Sequence, residues 1–384
     1  MEITANIAGV GLARIEISQD RIGSVVPAGP QNSSLPWVSA GLVDIQINGF
    51  AGVDFSDSAL DVEKVISVLP AIWKTGVTSF CPTLITNTPE HLERNFRLLE
   101  DARRLDVHFA ASVPGYHLEG PYISAGKSRG AHVPELTHPP DCDEFSRLQR
   151  AAGGNIAIVT VAPELPGACD FIRRACAMGV VVSIGHTDAT PEQIHQGIEA
   201  GAALSTHLGN GCPEYIHRHQ NALWPQLASE RLKASLICDG FHLPTDFVRA
   251  AFRIKGDDGC ILITDAIHAA TLPAGRYSLV GKEIELLPSG QVVTADRQSM
   301  AGSALSMNRA VRVFRKFADA SLEHAIRAAT RNPANLLGRR EVCAEVAPGQ
   351  IANLVLFEPG TEALEIKAVI LRGEIVYVAA GVRL

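Results

Sequence analysis

Several features that would assign the chain to other classes of protein are absent from its 384 residues. No run of about 18 uninterrupted apolar residues occurs, so no helix is expected to span a membrane. Neither acidic nor basic residues form runs, and together with a net charge of −7 this argues against nucleic acid as the main partner. The N-terminus lacks an apolar block after a basic start, so a secretory signal is not expected.

Paired cysteines are lacking as well. The eight cysteines are scattered along the chain, and no two form a C-x-x-C pair. In a chain of this length the pattern indicates reduced, partly buried thiols in a cytoplasmic protein rather than a disulfide framework. Apolar residues are abundant, at 46% against 20% charged, which predicts a globular protein with a sizeable core.

A recurring unit extends from residue 40 to residue 270. It consists of a short apolar run, a polar cluster and a helical stretch, of which Ala59 to Lys74 and Pro89 to Arg104 are examples. Eight such runs separated by helices predict an α/β fold, a closed parallel (β/α)8 TIM-type barrel with both faces of the sheet buried. The runs are Leu42 to Ile47, Val77 to Leu84, Val113 to Leu118, Ile156 to Val161, Val180 to Ile184, Ala202 to Thr206, Ala234 to Cys238 and Cys260 to Thr264.

The two ends of the chain differ from the barrel region. Residues 1–40 and 345–384 alternate apolar and polar positions, as β-strands do, with turns expected at Gly23 and Pro30. Neither end contains enough apolar surface to fold alone, so the two are predicted to pair into one small β domain beside a barrel of residues 41–344. A hairpin is expected over Gly275 to Val293.

Polar side chains occur where the runs end. In a barrel of this kind the loops after the strands form the mouth, so functional groups belong there. Glu119, His186 and His207 end the third, fifth and sixth runs. Each alone reads as an ordinary buried polar group, but three that converge around one axis favour a metal site. Two imidazoles and a carboxylate, with one position left to water, suit catalytic zinc, and iron, manganese or cobalt are also compatible.

Asp265 ends the eighth run. There its carboxylate could take a proton from a water that a metal activates and later deliver it to a leaving amine. The alternative is a capping residue, because Thr-Asp-Ala is an ordinary turn sequence. The neighbouring metal set favours the role of acid and base.

Five motifs in a fixed order carry a specific resemblance. HLEGP (117–121), GHTDA (185–189), THLGN (206–210), DGFH (239–242) and ITDA (263–266) resemble the N-acetylglucosamine-6-phosphate deacetylases of the amidohydrolase superfamily. The resemblance covers nearly the whole chain, including the C-terminal PGQIANLVLFEP. It implies a (β/α)8 barrel with a small β-sandwich built from both termini, a homodimer, and removal of acetate from a 2-acetamido sugar phosphate with one divalent metal, sometimes two.

The resemblance also implies roles for individual residues. Glu119, His186 and His207 would bind the metal, Asp265 would be the catalytic acid and base, and His132 would polarise the amide carbonyl. Contacts with the sugar phosphate would come from Ala131, Asn210, Gly211, His242, Met300, Ala301 and Gly302. His242, as a second anion contact, has the alternative of a purely structural role.

The first run predicts how many metals bind. Many amidohydrolases carry His-x-His at this position for a second metal, whereas this chain has Gln46-Ile47-Asn48. Amide side chains are poor ligands, so one metal is predicted. The missing histidine pair, with no obvious bridging lysine on the fourth run, also argues against the hydantoinase and dihydroorotase branches of the superfamily.

The loop after His207 departs from the family pattern. In the family an arginine followed by Glu-Pro-Gly binds phosphate across a dimer interface. Arg218 has the corresponding spacing from His207, but the Glu-Pro-Gly is absent and His217 and His219 flank the arginine. This trio could bind a phosphate, hydrogen-bond neutral hydroxyls, or form a solvated loop without a ligand.

The expectation that follows is a metal-dependent hydrolase that converts N-acetylglucosamine 6-phosphate, a small amino sugar, to glucosamine 6-phosphate and acetate. One alternative is the same chemistry on another N-acetyl amino sugar, phosphorylated or not, which the altered Arg218 loop permits. A more distant alternative is a non-catalytic barrel in which the metal is structural. Asp265 speaks against it, because a scaffold has no need of a poised base.

Overall fold

The protein is described by a computed structural model over residues 1–339 and 342–382. Its central element is an eight-stranded sheet in which each strand pairs in parallel with the next along the chain. The predicted α/β class and (β/α)8 barrel are confirmed. The barrel strands, numbered first to eighth below, are Leu42–Ile47, Val77–Ile85, Tyr116–Glu119, Ile156–Val161, Val181–Ile184, Leu204–Ser205, Lys233–Ile237 and Cys260–Ile263.

Two barrel strands are shorter than predicted. The third begins at Tyr116 rather than Val113, because Val113 ends the helix Val107–Ser112 by donating its N–H to Phe109 O. The sixth keeps regular pairing only over Leu204–Ser205. Both still deliver their C-terminal residues to the same end of the barrel.

Helices cover the outside of the barrel. The predicted helix Ala59 to Lys74 is two helices, since Pro70 has no N–H to donate and its ring cannot follow an uninterrupted helix. No α-helix within residues 1–339 and 342–382 is long and apolar enough to cross a membrane. The α-helices of these residues are Val62–Ser67, Leu69–Trp73, Pro89–Leu105, Val107–Ser112, Cys142–Ala151, Ala168–Ala177, Pro191–Ala200, Leu223–Ala228, Thr245–Lys255, Met307–Ala318, Leu322–Ala328 and Arg331–Leu337, with short 3-10 turns at Lys127–Arg129 and Pro134–Leu136.

Local sequence explains where the better-defined helices begin. Pro191–Ala200 starts after Thr190, whose hydroxyl accepts from the N–H of Gln193 while the Gln193 side chain accepts from the N–H of Thr190. This reciprocal pair satisfies two N–H groups that a helix leaves without a partner, and proline is well suited to the first helical position.

The barrel closes between its first and eighth strands through a buried carboxylate. The two strands share one bridge, Ile47 with Ala266. Asp44, fully buried, accepts hydrogen bonds from the hydroxyl of Thr264 (2.5 Å), the N–H of Thr264 (3.2 Å) and the N–H of Gln46 (3.3 Å). Asp44 therefore connects the two strands where ladder pairing is sparse.

Both termini contribute to one seven-stranded sheet, as predicted. Leu354–Pro359 pairs with Trp37–Ala40, which pairs in turn with Glu2–Ile7. Leu354 belongs to an apolar cluster on one face of the sheet, and its neighbour Val355 belongs to the barrel core. In sheet order the strands are Glu374–Val378, Leu364–Leu371, Leu354–Pro359, Trp37–Ala40, Glu2–Ile7, Gly11–Ser18 and Arg21–Gly29.

The expected turn at Gly23 is wrong. Gly23 lies inside the strand Arg21–Gly29, and the chain reverses at Gln19, which adopts a φ of 55°. The division of the chain into residues 1–40 with 345–384 and residues 41–344 stays a prediction.

A small sheet is inserted after the eighth barrel strand. The predicted hairpin over Gly275 to Val293 has a third strand, so that Gly275–Leu279, Lys282–Leu286 and Val292–Thr294 form an antiparallel sheet. Its apolar face packs on Ile267 and Ala301. The insertion thereby holds the segment around residue 300 at the barrel mouth. A second, two-stranded pairing joins Gly49–Phe50 and Val53–Asp54.

We expect Asp44→Ala to lower the free energy of unfolding by about 2–4 kcal/mol, because two backbone N–H groups and a hydroxyl lose a buried acceptor. Urea unfolding followed by circular dichroism measures this. The matched variant Asp44→Asn keeps one acceptor oxygen and should lose less. Equal, small effects of both variants would show that the carboxylate does not connect the strands.

Asp44 also predicts a pH dependence. Burial raises the pKa of Asp44 from 3.8 to about 7. The folded protein therefore holds a proton that the unfolded chain releases near pH 4, and this contribution to stability is lost as the pH rises from about 4 to about 7. The stability of the wild type relative to Asp44→Asn should decline over that interval, and a constant difference would contradict the assignment.

Candidate active site

A cavity of about 600 Å³ opens at the C-terminal end of the barrel. Its wall includes residues at the C-terminal ends of five different barrel strands: Asn48, Glu119, His186, His207 and Asp265. Another groove, of about 520 Å³, lies on the outer helices and is lined mainly by charged side chains. The cavity at the barrel mouth is the one that collects the polar strand ends expected from the sequence.

Glu119, His186 and His207 meet at one point of this cavity. Glu119 Oε1 lies 3.2 Å from His186 Nε2 and 3.1 Å from His207 Nε2, and the two Nε2 atoms are 3.0 Å apart. All three side chains are buried. The predicted metal set is therefore brought together by the fold, with one ligand atom offered by each residue.

The tautomer of His186 supports a cation at this point. Its Nδ1 lies 2.9 Å from the carbonyl oxygen of Ser128, which can only accept, so Nδ1 carries the proton and Nε2 presents a lone pair to Glu119 and His207. Two imidazole nitrogens and a carboxylate oxygen this close are a donor set that divalent metals take. The residues present fit a metal ion.

Three polar residues that follow barrel strands share an unusual backbone conformation. His186, His207 and Asp265 have φ values of 48°, 31° and 49°, in the left-handed region that residues other than glycine rarely adopt. Each such residue costs about 1–3 kcal/mol, and the strain is tolerated where surrounding contacts impose it, commonly at functional sites. Sequence reasoning could not find this feature, because these residue types do not by themselves indicate a left-handed conformation.

Asp265 is held by the two amides of the first strand. Asn48 Nδ2 donates to its Oδ1 at 2.7 Å, and Gln46 Nε2 donates to the same oxygen at 3.2 Å. Gln46 Nε2 also donates to Glu119 Oε1 at 2.8 Å. The amides expected to make a poor second metal site thus act as hydrogen-bond donors that orient the two carboxylates.

Burial and neighbouring charges move the pKa values of these carboxyl groups in opposite directions. Burial raises the pKa of Asp265, and the negative charge of Glu119 adds to the effect. Burial also raises the pKa of Glu119, but the adjacent imidazoles of His186 and His207 outweigh burial and hold that pKa well below its usual range. Glu119 is therefore the charged carboxylate, and Asp265 is the carboxyl group with the higher proton affinity.

His132 lies beside the metal set in a neutral form. Its ring centroid is 4.5 Å from that of His186, and its Nδ1 is 2.7 Å from the hydroxyl oxygen of Thr86. Burial lowers the pKa of His132 to about 3. The imidazole can therefore present one N–H to a ligand without carrying a charge. Thr86 has no motif signal that would have pointed to it.

Asp188 fixes the loop that carries His132. Its carboxylate accepts from the hydroxyls of Ser124 (2.5 Å) and Ser128. Because the carbonyl of Ser128 in turn accepts from His186, the loop and the metal set are joined in one network. Asp188 belongs to the GHTDA motif, but its contacts could only be found in the folded chain.

Most of the predicted substrate contacts line the cavity. They are Ala131, Asn210, Gly211, His242, Met300 and Gly302. Gly211 has a φ of 58°, and a Cβ there would lie 2.9 Å from His186 Nδ1, so only glycine lets the backbone approach the metal set this closely. His242 is oriented by Asp239, whose Oδ2 lies 2.7 Å from His242 Nδ1.

Two of the predicted contacts lie elsewhere. Ala301 is fully buried in the apolar core of the inserted sheet and does not line the cavity. Arg218 lies on an exposed loop, outside the cavity of its own chain. The Arg218 carbonyl accepts a hydrogen bond from Trp224 Nε1 at 2.9 Å, which fixes the backbone of the loop. The Arg218 side chain itself is exposed to solvent.

Buried polar atoms without a hydrogen-bond partner gather around this cavity. Among the residues the structure describes, four such atoms belong to cavity-lining side chains: Asn48 Oδ1, Arg129 Nε, His207 Nδ1 and Asn210 Nδ2. Buried polar groups normally have partners, so their concentration here indicates a site built for a polar ligand.

A Glu/His/His cluster and an adjacent carboxylate at the mouth of a (β/α)8 barrel define a class, the metal-dependent hydrolases. Residues 37–376 match the model of the Amidohydrolase family, and the chain belongs to that family. It is 35% identical to the human N-acetylglucosamine-6-phosphate deacetylase over 90% of this chain and 85% of the relative. It is 32% identical to the N-acetylgalactosamine-6-phosphate deacetylase of Escherichia coli O157:H7 over 84% of each chain.

A solved structure agrees with the fold. The N-acetyl-D-glucosamine-6-phosphate deacetylase of Mycobacterium smegmatis, in a mutant form bound to N-acetyl-D-glucosamine-6-phosphate, superposes with a TM-score of 0.89. The two chains are 30% identical, and the match covers 98% of this chain and 99% of the other.

We expect Glu119→Gln and His207→Ala to weaken metal binding by more than about 100-fold, since even the loss of a residue that orients a metal ligand costs 10- to 100-fold. Metal content after dialysis against a weak chelator, measured by mass spectrometry, tests this. His195→Ala, which removes an exposed helical imidazole, is the control and should retain the metal. Full metal content in both site variants would show that the cluster does not bind it.

Proposed function

We propose that the protein is a divalent-metal-dependent deacetylase that removes acetate from N-acetylglucosamine 6-phosphate and releases glucosamine 6-phosphate. The observation that carries the proposal is the convergence of Glu119, His186, His207 and Asp265 in one cavity at the barrel mouth. The relatives that match most of the chain, and the ligand of the Mycobacterium smegmatis structure, support the choice of substrate.

Glu119, His186 and His207 would hold the metal, one ion per subunit. When bound, a divalent cation lowers the pKa of a water molecule and polarises a carbonyl group. Zinc is the metal we favour, because two imidazoles and one carboxylate suit its preference for nitrogen and oxygen ligands at a catalytic site. The amides of Gln46 and Asn48 donate toward carboxylates, which supports a single ion.

Asp265 performs the proton transfers. Its Oδ1 is engaged by Gln46 and Asn48, so the other oxygen is the one available to take the proton of the attacking water. The same oxygen then gives that proton to the nitrogen of the departing amine. The raised pKa of Asp265 suits both steps. It makes the carboxylate a stronger base toward water, and it keeps the carboxyl group protonated until the amine departs.

His132 stabilises the oxygen on which negative charge develops. This role assigns the imidazole proton to Nε2, with Nδ1 accepting from the Thr86 hydroxyl 2.7 Å away. A neutral donor that is already in place needs no reorganisation during the reaction. Ala131, Asn210, Gly211, Met300, Gly302 and His242 then surround the sugar, and Ala301 supports this wall from behind.

We further propose a homodimer in which Arg218 reaches the neighbouring subunit. The Arg218 loop carries Tyr215, which is 88% exposed, and the nearby Trp224 is 54% exposed. Aromatic side chains left in solvent beside a cation are typical of a surface that a partner covers. Eight free cysteines support a cytoplasmic location.

Acetate release from three sugars tests the substrate. We expect kcat/KM for N-acetylglucosamine 6-phosphate to exceed that for unphosphorylated N-acetylglucosamine by at least about 10-fold, since a charged hydrogen-bonded group contributes about 1.5–3 kcal/mol. N-Acetylgalactosamine 6-phosphate is the third arm, because the Escherichia coli relative acts on that sugar by name. Equal rates with and without phosphate would contradict the proposal. A preference for N-acetylgalactosamine 6-phosphate would keep the proposed deacetylation and change only the configuration of the sugar.

Asp265→Asn should lower kcat by about 100- to 10,000-fold, because an amide can still accept from Asn48 but cannot take a proton. Metal content should remain at the wild-type level. Asp143→Asn, on an exposed helical turn, is the matched control and should leave both unchanged. Near-normal turnover in Asp265→Asn would remove Asp265 from the mechanism.

A further inference from the structure

Two basic residues lie on the cavity wall without a role in the chemistry described above. Lys127 and Arg129 both line the cavity, in the short 3-10 turn that precedes His132. The acidic side chains Glu119 and Asp265 line the same cavity. A ligand that spans the cavity would therefore meet cationic groups on this wall.

Arg129 has a buried donor without an acceptor. Its Nη1 donates to the carbonyl of Gly126 at 2.9 Å, but its Nε is buried with no hydrogen-bond partner among the described residues. A guanidinium N–H removed from water without an acceptor loses its hydration and gains nothing in return. A ligand that brings an acceptor to this guanidinium would offset that cost.

The backbone of Arg129 is held in place before any ligand binds. Ser128, the preceding residue, is bonded through its hydroxyl to Asp188 and through its carbonyl to His186. Gly130, the following residue, has a φ of 59°, and a Cβ there would lie 3.3 Å from His186 Cε1. The guanidinium is thus attached to a turn whose position relative to the metal set is fixed.

Arg218 does not bring a positive charge to the cavity of its own chain. It is exposed and lies outside the cavity, whereas Arg129 is partly buried and faces it. A planar guanidinium can bind two oxygens of a phosphate side by side, and a nearby ammonium adds a point charge. We propose that Arg129, assisted by Lys127, binds the phosphate group of the substrate from within the same subunit, an inference that rests on the proposed function.

The test compares substrates with and without the phosphate. Arg129→Ala should raise KM for N-acetylglucosamine 6-phosphate by about 10- to 100-fold while kcat changes little, because a charge-assisted hydrogen bond is lost in substrate and transition state alike. For unphosphorylated N-acetylglucosamine kcat/KM should stay within about 3-fold of the wild type. Lys127→Ala should act in the same direction with a smaller factor, and Arg129→Lys should recover part of the loss.

Controls separate this effect from misfolding and from the dimer. Arg173→Ala, on an exposed helix, should leave both substrates unaffected. Melting temperature and metal content show whether each variant is folded. Inhibition of the wild type by inorganic phosphate, and its weakening in Arg129→Lys, gives a second measure that needs no poor substrate. Arg218→Ala is assayed in parallel, so that a contribution across the dimer is measured on its own.

Three results would overturn the assignment of Arg129 to the phosphate, and they can be told apart. An equal loss on both sugars in Arg129→Ala would place the guanidinium on the sugar or the reacting amide and overturn the inference. Retention of the wild-type phosphate preference would overturn it too, while leaving the deacetylase intact. If the wild type itself showed no preference for the phosphorylated sugar, the proposed substrate would fail first, and the inference with it.

Discussion

A single carboxylate oxygen, Glu119 Oε1, is the point on which the functional end of the barrel depends. Nitrogens of Gln46, His186 and His207 lie 2.8, 3.2 and 3.1 Å from it, so side chains from four barrel strands meet at one atom. A buried negative charge is tolerated only when donors or a cation surround it. This requirement accounts for the density of polar strand ends in an otherwise apolar barrel.

In the same region, the hydrogen bonds that close the barrel also position Asp265. Asp44 joins the first and eighth strands through Thr264, and the next residue along the chain is Asp265. Asp265 in turn accepts hydrogen bonds from the side-chain amides of Gln46 and Asn48, at the end of the first strand. A shift in register between the first and eighth strands would therefore disturb both Asp265 and the strand pairing, because both depend on the same few hydrogen bonds.

Much of the fold could be predicted because it depends on short-range patterns. Eight apolar runs were enough to predict the barrel, and the strand-end motifs were enough to predict Glu119, His186 and His207 as one cluster. The errors lie where local context decides, as with Pro70, which divides a predicted helix, and the turn placed at Gly23. Arg129 lies outside the five strand-end motifs, and its unpartnered Nε could be recognised only once burial was known.

The sequence by itself determined the class of fold, the residues of the Glu/His/His cluster and the lack of an imidazole pair on the first strand, since residue type and order carry that information. Tertiary structure decided the rest. The left-handed backbone at His186, His207 and Asp265, the amide donors on the carboxylates, and the location of Arg218 outside its own cavity all arise from contacts between distant segments. Such contacts depend on packing in three dimensions, which no local pattern encodes.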